Sequence, residues 1–252
     1  MKTNKNNYKI SFILNITIFI LTLFATIAMI KGFQFLGKSQ ILTANRIEIF
    51  KYFTVDSNIL AGITSLVFAI YDYLLIKNKN KVIPKEIYIL KYISTVSVMV
   101  TFLVTLLFLL PAYSFNFNFI YSNSNFLFHL VIPLLCLISF IFFEKNNYLN
   151  FKNSFYSLIP VILYSVYYSF ISLSHIKNGV VFIKYDWYGF LKSGLKNAFI
   201  VPPIMYLSTY LIGFIIWRLN KNNTDKYYSK WHFKNLILNY KIKKELKVCH
   251  IN

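Results

Sequence analysis

The sequence predicts an all-α polytopic membrane protein: a single bundle of six transmembrane helices with both termini cytoplasmic. Composition is the first reason, since the 252 residues are 57% hydrophobic and 19% aromatic but only 14% charged, with a mean hydropathy of +0.53. A soluble domain carries nearer a quarter charged residues. Six continuous apolar runs long enough to cross a bilayer, which takes about 20 residues, are the second reason. The third is that Lys and Arg alternate between rich and poor connecting segments.

The first run, Tyr8–Ile30, exceeds the roughly 7–15-residue apolar region of a secretion signal and lacks an A-x-A cleavage pattern, so it reads as a retained span. The others are Ile47–Ile76, Tyr88–Tyr113, Asn125–Phe143, Phe155–His175 and Phe199–Asn220. Their Ile, Phe and Tyr content suits strands as well. A β-barrel, however, needs short alternating segments, and these runs are long and unbroken.

The net charge of +19 raises the question of nucleic acid, and the placement of the cations answers it. Lys2, Lys5, Lys9, Lys77, Lys79, Lys81, Lys85, Lys145, Lys152 and the series from Arg218 to Lys247 fall on one side. The other side holds fewer: Lys31, Lys38, Arg46, Lys177, Lys184, Lys192 and Lys196. The positive-inside rule puts the richer side, and with it both termini, in the cytoplasm of a cell membrane. Without a nucleic-acid motif or a separate basic domain, no nucleic-acid partner is expected.

Residues 1–220 form the membrane domain and 221–252 a basic cytoplasmic tail. In the tail Tyr228, Trp231, Leu238, Ile242 and Leu246 recur at helical spacing among lysines. The stripe fits either an amphipathic helix on anionic lipid or a solvated flank that enforces topology. Cys136 and Cys249 lie on different sides of any oxidising boundary, so no disulfide is expected. Nucleotide-loop and zinc-protease motifs are absent, and no cofactor is expected.

Two polar islands interrupt the apolar runs: Tyr52-Phe53-Thr54-Val55-Asp56-Ser57-Asn58, and Asn125 to His129 followed by Pro133. Polar groups at membrane depth are costly and so mark candidate sites. With spans two and four running outside to inside, Thr54 lies roughly 10 Å and His129 roughly 6 Å below the outer boundary. At 100° per residue, Thr54, Ser57, Asn58 and Ala61 share a face, while Asp56 falls about 200° away and needs a partner such as Lys51 or an outer-loop lysine. Asn125 and His129 are i, i+4 neighbours. His175 and Asp186 complete the outer-half polar set.

Thr54 is a candidate nucleophile, with neutral His129 as the base that removes its proton. Two ordinary roles compete. Threonine in a membrane helix bonds the carbonyl one turn back, and a lone histidine bridges helices. The stripe Ser94, Ser97, Thr101 and Thr105 suits helix packing, and Tyr164, Tyr167, Tyr168 and Trp187 suit an aromatic belt. His129, His175, Asp56 and Asp186 show no recognised zinc spacing, and no metal site is expected.

The segments Phe53–Asn58 (Phe-Thr-x-x-Ser-Asn), His129–Pro133 (His-x-x-x-Pro), Pro160 with Tyr164, Tyr167 and Tyr168, and Trp187-Tyr188-Gly189-Phe190-Leu191 occur in the order found in the bacterial Pr6Pr membrane proteins. The chain resembles that family from about Ile47 to Leu191. The family is in turn similar to the eukaryotic FAR-17a/androgen-induced membrane proteins. The resemblance implies six spans and, from the eukaryotic branch, a hydrolase of fatty-acid esters of hydroxy fatty acids that uses one intramembrane threonine and one histidine, here Thr54 and His129. Ser57, Asn58 and Asn125 are then candidate oxyanion or substrate contacts, and membrane lipid supplies the ester. Asp56 departs from the pattern by replacing an amide, and Ser139 by replacing an acid. The alternative is a non-catalytic membrane protein, a small transporter or an assembly factor, with a polar packing or binding node at the same residues.

Overall fold

A computed structural model describes the backbone of residues 5–37, 46–77, 81–145, 148–177, 180–182, 184–192 and 194–249, and side chains over the same ranges apart from 180, 227–228 and 230–249. Six helices are long and apolar enough to cross a membrane, the architecture of a multi-pass membrane protein. They are α1 (Lys5–Lys31), α2 (Phe53–Lys77), α3 (Lys85–Ala112), α4 (Asn123–Phe143), α5 (Phe151–Ser174) and α6, which begins at Asn197 and runs to Cys249. Among the described residues the only β ladder is Ile176–Lys177 against Val180–Val181.

Side-chain contacts fix how the first four helices run. Thr22 meets Gly62 and Ser11 meets Asp72, so α1 and α2 are antiparallel. Phe68 packs on Tyr88 and Thr64 donates to Ser94, which sets α2 against α3 in the same sense. Tyr92 with Phe140 and Thr105 with His129 do the same for α3 and α4. Two glycines permit the closest approaches. A Cβ at Gly62 would lie 2.8 Å from Thr22 Cγ2, and one at Gly213 would lie 2.6 Å from the Tyr92 hydroxyl. Small residues are what let membrane helices approach this closely.

Polarity is inverted relative to a soluble protein. Phe199, Phe170 and Leu163 are 82%, 69% and 67% exposed, whereas Asn15, Ser65, Ser97, Thr105 and Ser139 are fully buried. Apolar exteriors with Ser, Thr and Asn between helices are expected where lipid is the solvent.

Several boundaries move from the sequence reading. Arg46–Lys51 forms a 3-10 turn and not the start of α2. Thr54 is therefore the second residue of α2, nearer the helix end than a count from Ile47 implies. At the other terminus α6 passes Asn220 without a break. The striped side chains Tyr228, Trp231, Leu238, Ile242 and Leu246 lie outside the described residues.

α3 contains one π-turn, Thr105–Leu109, and α4 contains two, Leu127–Val131 and Ser139–Phe143. The first two of these end two residues before a proline, Pro111 and Pro133. Proline has no N–H to donate one turn back and its ring crowds that carbonyl, so the preceding turn widens. Single π-turns of this kind are frequent at functional sites.

Candidate functional site

The start of α2 is held from outside by aromatic side chains. Tyr188 accepts the Phe53 N–H at 2.9 Å, one of the orphan donors at a helix N-terminus. Tyr164 donates to the Lys51 carbonyl at 2.5 Å and accepts from Trp187 Nε1 at 3.0 Å. The loop carrying Trp187 and Tyr188 is pinned by Asp186, which accepts from the Tyr168 hydroxyl and from the Leu191 N–H. Burial pushes the Tyr188 phenol up from 10.0 to about 12. Residues expected only to form an aromatic belt thus clamp the helix that carries Thr54.

Within α2, Thr54, Ser57, Asn58 and Ala61 are buried and Asp56 is exposed, as helical phase requires. Ser57 Oγ and Asn58 Nδ2 both donate to the Thr54 carbonyl, at 3.1 and 2.7 Å. Asn58 Nδ2 also reaches the Phe128 carbonyl at 3.2 Å, which joins α2 to α4 one residue from His129.

His129 is 4% exposed. Its Nδ1 pairs with Thr105 Oγ1 at 2.8 Å. The structure therefore bonds His129 to Thr105 of the α3 stripe, which the sequence reading assigned to packing, and among the described residues no hydrogen bond joins His129 to Thr54. Both partners lie in the π-turns described above. A proline follows each within two turns, Pro111 six residues after Thr105 and Pro133 four residues after His129, and that is the sequence signal nearest to this neighbourhood.

Asn125 is 1% exposed, and among the described residues neither its Oδ1 nor its Nδ2 has a hydrogen-bond partner. Asn58 Oδ1 is likewise unsatisfied. Buried polar atoms of this kind are uncommon and call for an explanation.

The remaining candidates stand apart. Asp56 faces a cavity of about 370 Å³ between the start of α2 and α5, with Ser57, Leu60, Pro160, Leu163 and Tyr164 around it. The expected Lys51 partner instead sits 3.5 Å from Glu48, with which it shares the 3-10 turn. His175 Nδ1 bonds the Ile171 carbonyl at 2.8 Å and its ring stacks on Tyr185 at 3.7 Å. Among the described residues no three His, Cys, Asp or Glu side chains converge as metal ligands.

No family model, curated protein or solved structure matches the chain.

Proposed function

We propose that the six helices form one bundle in the cell membrane with both termini cytoplasmic, and that the Thr54–His129 region is a hydrolytic site for a lipid ester in the outer half of the bilayer. The Lys and Arg distribution supports the orientation. The observation that carries the chemistry is the buried His129 tied through Nδ1 to Thr105, with unsatisfied amide groups on Asn125 and Asn58.

In the tautomer whose Nδ1–H donates to Thr105 Oγ1, Nε2 is the ring nitrogen that accepts a proton. Thr105 then plays the orienting part that a third group plays in nucleophile–base pairs. Thr54 attacks the ester carbonyl, His129 takes its proton and returns it to the leaving alcohol, and water completes the cycle on the acyl-threonine. Ser57 and Asn58 direct their hydrogens to the Thr54 carbonyl, which leaves Asn125 Nδ2 as the donor for the oxyanion. The resemblance to the Pr6Pr and FAR-17a/androgen-induced families motivates Thr54 as the nucleophile.

A second reading, a non-catalytic polar node in a transporter or assembly factor, is favoured by one observation. The cavity between α2 and α5 is lined by Ser57 but by neither Thr54 nor His129. Labelling of purified protein with a fluorophosphonate probe separates the two. The hydrolase reading expects labelling that is lost in Thr54→Ala and His129→Ala while both variants remain folded. Loss in Thr105→Val with retention in Thr54→Ala would move the nucleophile to Thr105. Labelling unchanged in all three would overturn the hydrolase reading at these residues.

A further inference from the structure

At the opposite end of the first four helices lies a second buried polar assembly. Lys91 Nζ, fully buried, donates to Asn15 Oδ1 at 2.5 Å and to Ser65 Oγ at 2.7 Å, and lies 3.6 Å from Glu144 Oε1. The same Glu144 oxygen accepts from Ser139 Oγ at 2.6 Å and from Asn15 Nδ2 at 2.9 Å. Asn15 Nδ2 also contacts Ser11, and Ser11 Oγ donates to Asp72 Oδ2 at 2.6 Å. Asp72 is 1% exposed, and its Oδ1 has no hydrogen-bond partner.

Charge does not balance if every group is ionised. Among the described residues the ionisable groups that act on Asp72 are Lys91 from α3 and Glu144 at the end of α4, while α1 presents the neutral Ser11 and Asn15. One ammonium thus faces two carboxylates. Glu144 holds the ammonium and two further donors, which is what a buried carboxylate needs to stay ionised. Among the described residues Asp72 has one hydroxyl donor and no ion pair, so an ionised Asp72 would be a buried charge with little compensation.

A bound cation at Asp72 could restore neutrality, and oxygen supply decides its kind. A metal ion replaces its hydration shell with several oxygens. Here the Asn15 and Ser65 oxygens already receive the Lys91 ammonium, and among the described residues the side-chain oxygen bonded to Asp72 is the Ser11 hydroxyl. A proton requires no such shell.

We propose that Asp72 is a resident proton-binding site, so that the cluster on α1 to α4 is neutral with Asp72 as the carboxylic acid and Lys91–Glu144 as the ion pair. Protonated Asp72 has an O–H to donate through its second oxygen. Loss of the proton places an uncompensated charge where four helices meet, five residues before the end of α2 at Lys77. The site therefore links proton occupancy to the packing of those helices.

Infrared spectroscopy of the protein in lipid nanodiscs, with and without ¹³C-aspartate, tests this. Asp56→Asn and Asp186→Asn are combined so that Asp72 and Asp225 are the aspartates left, and Asp225 is exposed and paired with Lys221 at 2.9 Å. At neutral pH a protonated-carboxyl band that moves on ¹³C-aspartate labelling is expected in this background, and it is lost when Asp72→Asn is added. Asp72→Asn alone is expected to melt as the parent does, because the amide mimics a neutral acid. Absence of a label-sensitive protonated-carboxyl band at neutral pH overturns the proposal, whatever the folding of Asp72→Asn.

Discussion

The two buried polar regions of this protein are built from different materials. At the Thr54–His129 end the groups are hydroxyls, amides and an imidazole, and several amide atoms have no partner. At the Lys91–Glu144 end the groups include full charges, and Lys91 and the Glu144 Oε1 atom it faces are multiply hydrogen-bonded. A network of the second kind fixes four helices relative to one another, because breaking one member strands the others. A region of the first kind contributes less to packing and leaves donors and acceptors for something that enters. The contrast separates a structural lock from a candidate site within one interior.

The sharpest way to break the comparison is to remove the ammonium. Lys91→Met leaves Glu144 and its hydrogen bonds around a charge without a counter-ion, and losing one partner of a buried pair costs about 3–5 kcal/mol. Loss of the monodisperse species in size-exclusion chromatography, or a large fall in melting temperature, is the expected outcome. His129→Gln, at the other end, is expected to cost much less while abolishing probe labelling. Equal costs at both ends would show that the two regions are equivalent packing nodes.

The next effect concerns the helix pair that joins the two ends. Gly62→Val drives a branched side chain into Thr22, whose Cγ2 already lies 2.8 Å from the position of a Cβ. Overpacking of this kind costs about 1–3 kcal/mol. Thermal unfolding should show the loss, and Thr22→Ala in the same chain should restore part of it.

How much of this was legible in the sequence depends on what kind of interaction made each feature. The six helices were, because lipid demands long apolar runs and backbone bonding within each segment. The turn of Asp56 away from Thr54 was also legible, since helical phase is local. Lys91 was not: one lysine three residues into the span read from Tyr88 lies near a helix start, and only the fold brings Asn15, Ser65 and Glu144 around it. Ser139 follows the same logic, since Glu144 supplies the carboxylate five residues later. The His129–Thr105 bond was hidden because hydroxyl stripes usually bond their own helix, as Ser97 and Thr101 do here.

The aromatic clamp gives a smaller test of the Thr54 end. Tyr188→Phe leaves the Phe53 N–H without its acceptor, an expected loss of about 1 kcal/mol. It also changes the alkaline limb of stability. The Tyr188 phenol is raised from 10.0 to about 12 in the folded protein, so its contribution is complete below the unfolded value and is lost as pH rises through the folded one. Melting temperatures of wild type and Tyr188→Phe should therefore converge between those two values, and parallel curves would remove Tyr188 from the clamp.

The smallest expected change in stability is the most discriminating. Asn125 buries an amide with neither atom paired, and such groups cost about 1–3 kcal/mol when left unsatisfied. If that amide serves only packing, Asn125→Leu keeps the volume and removes the polar atoms, and both stability and probe labelling should hold or improve. If it is the oxyanion donor, stability should still hold or rise by up to about 1 kcal/mol, while labelling slows about 100-fold, the usual effect of deleting one such donor. A residue whose removal stabilises the fold and slows the chemistry is retained for the chemistry. Melting temperature and labelling rate measured on the same preparation decide between the two, and a fall in both together would return Asn125 to the fold.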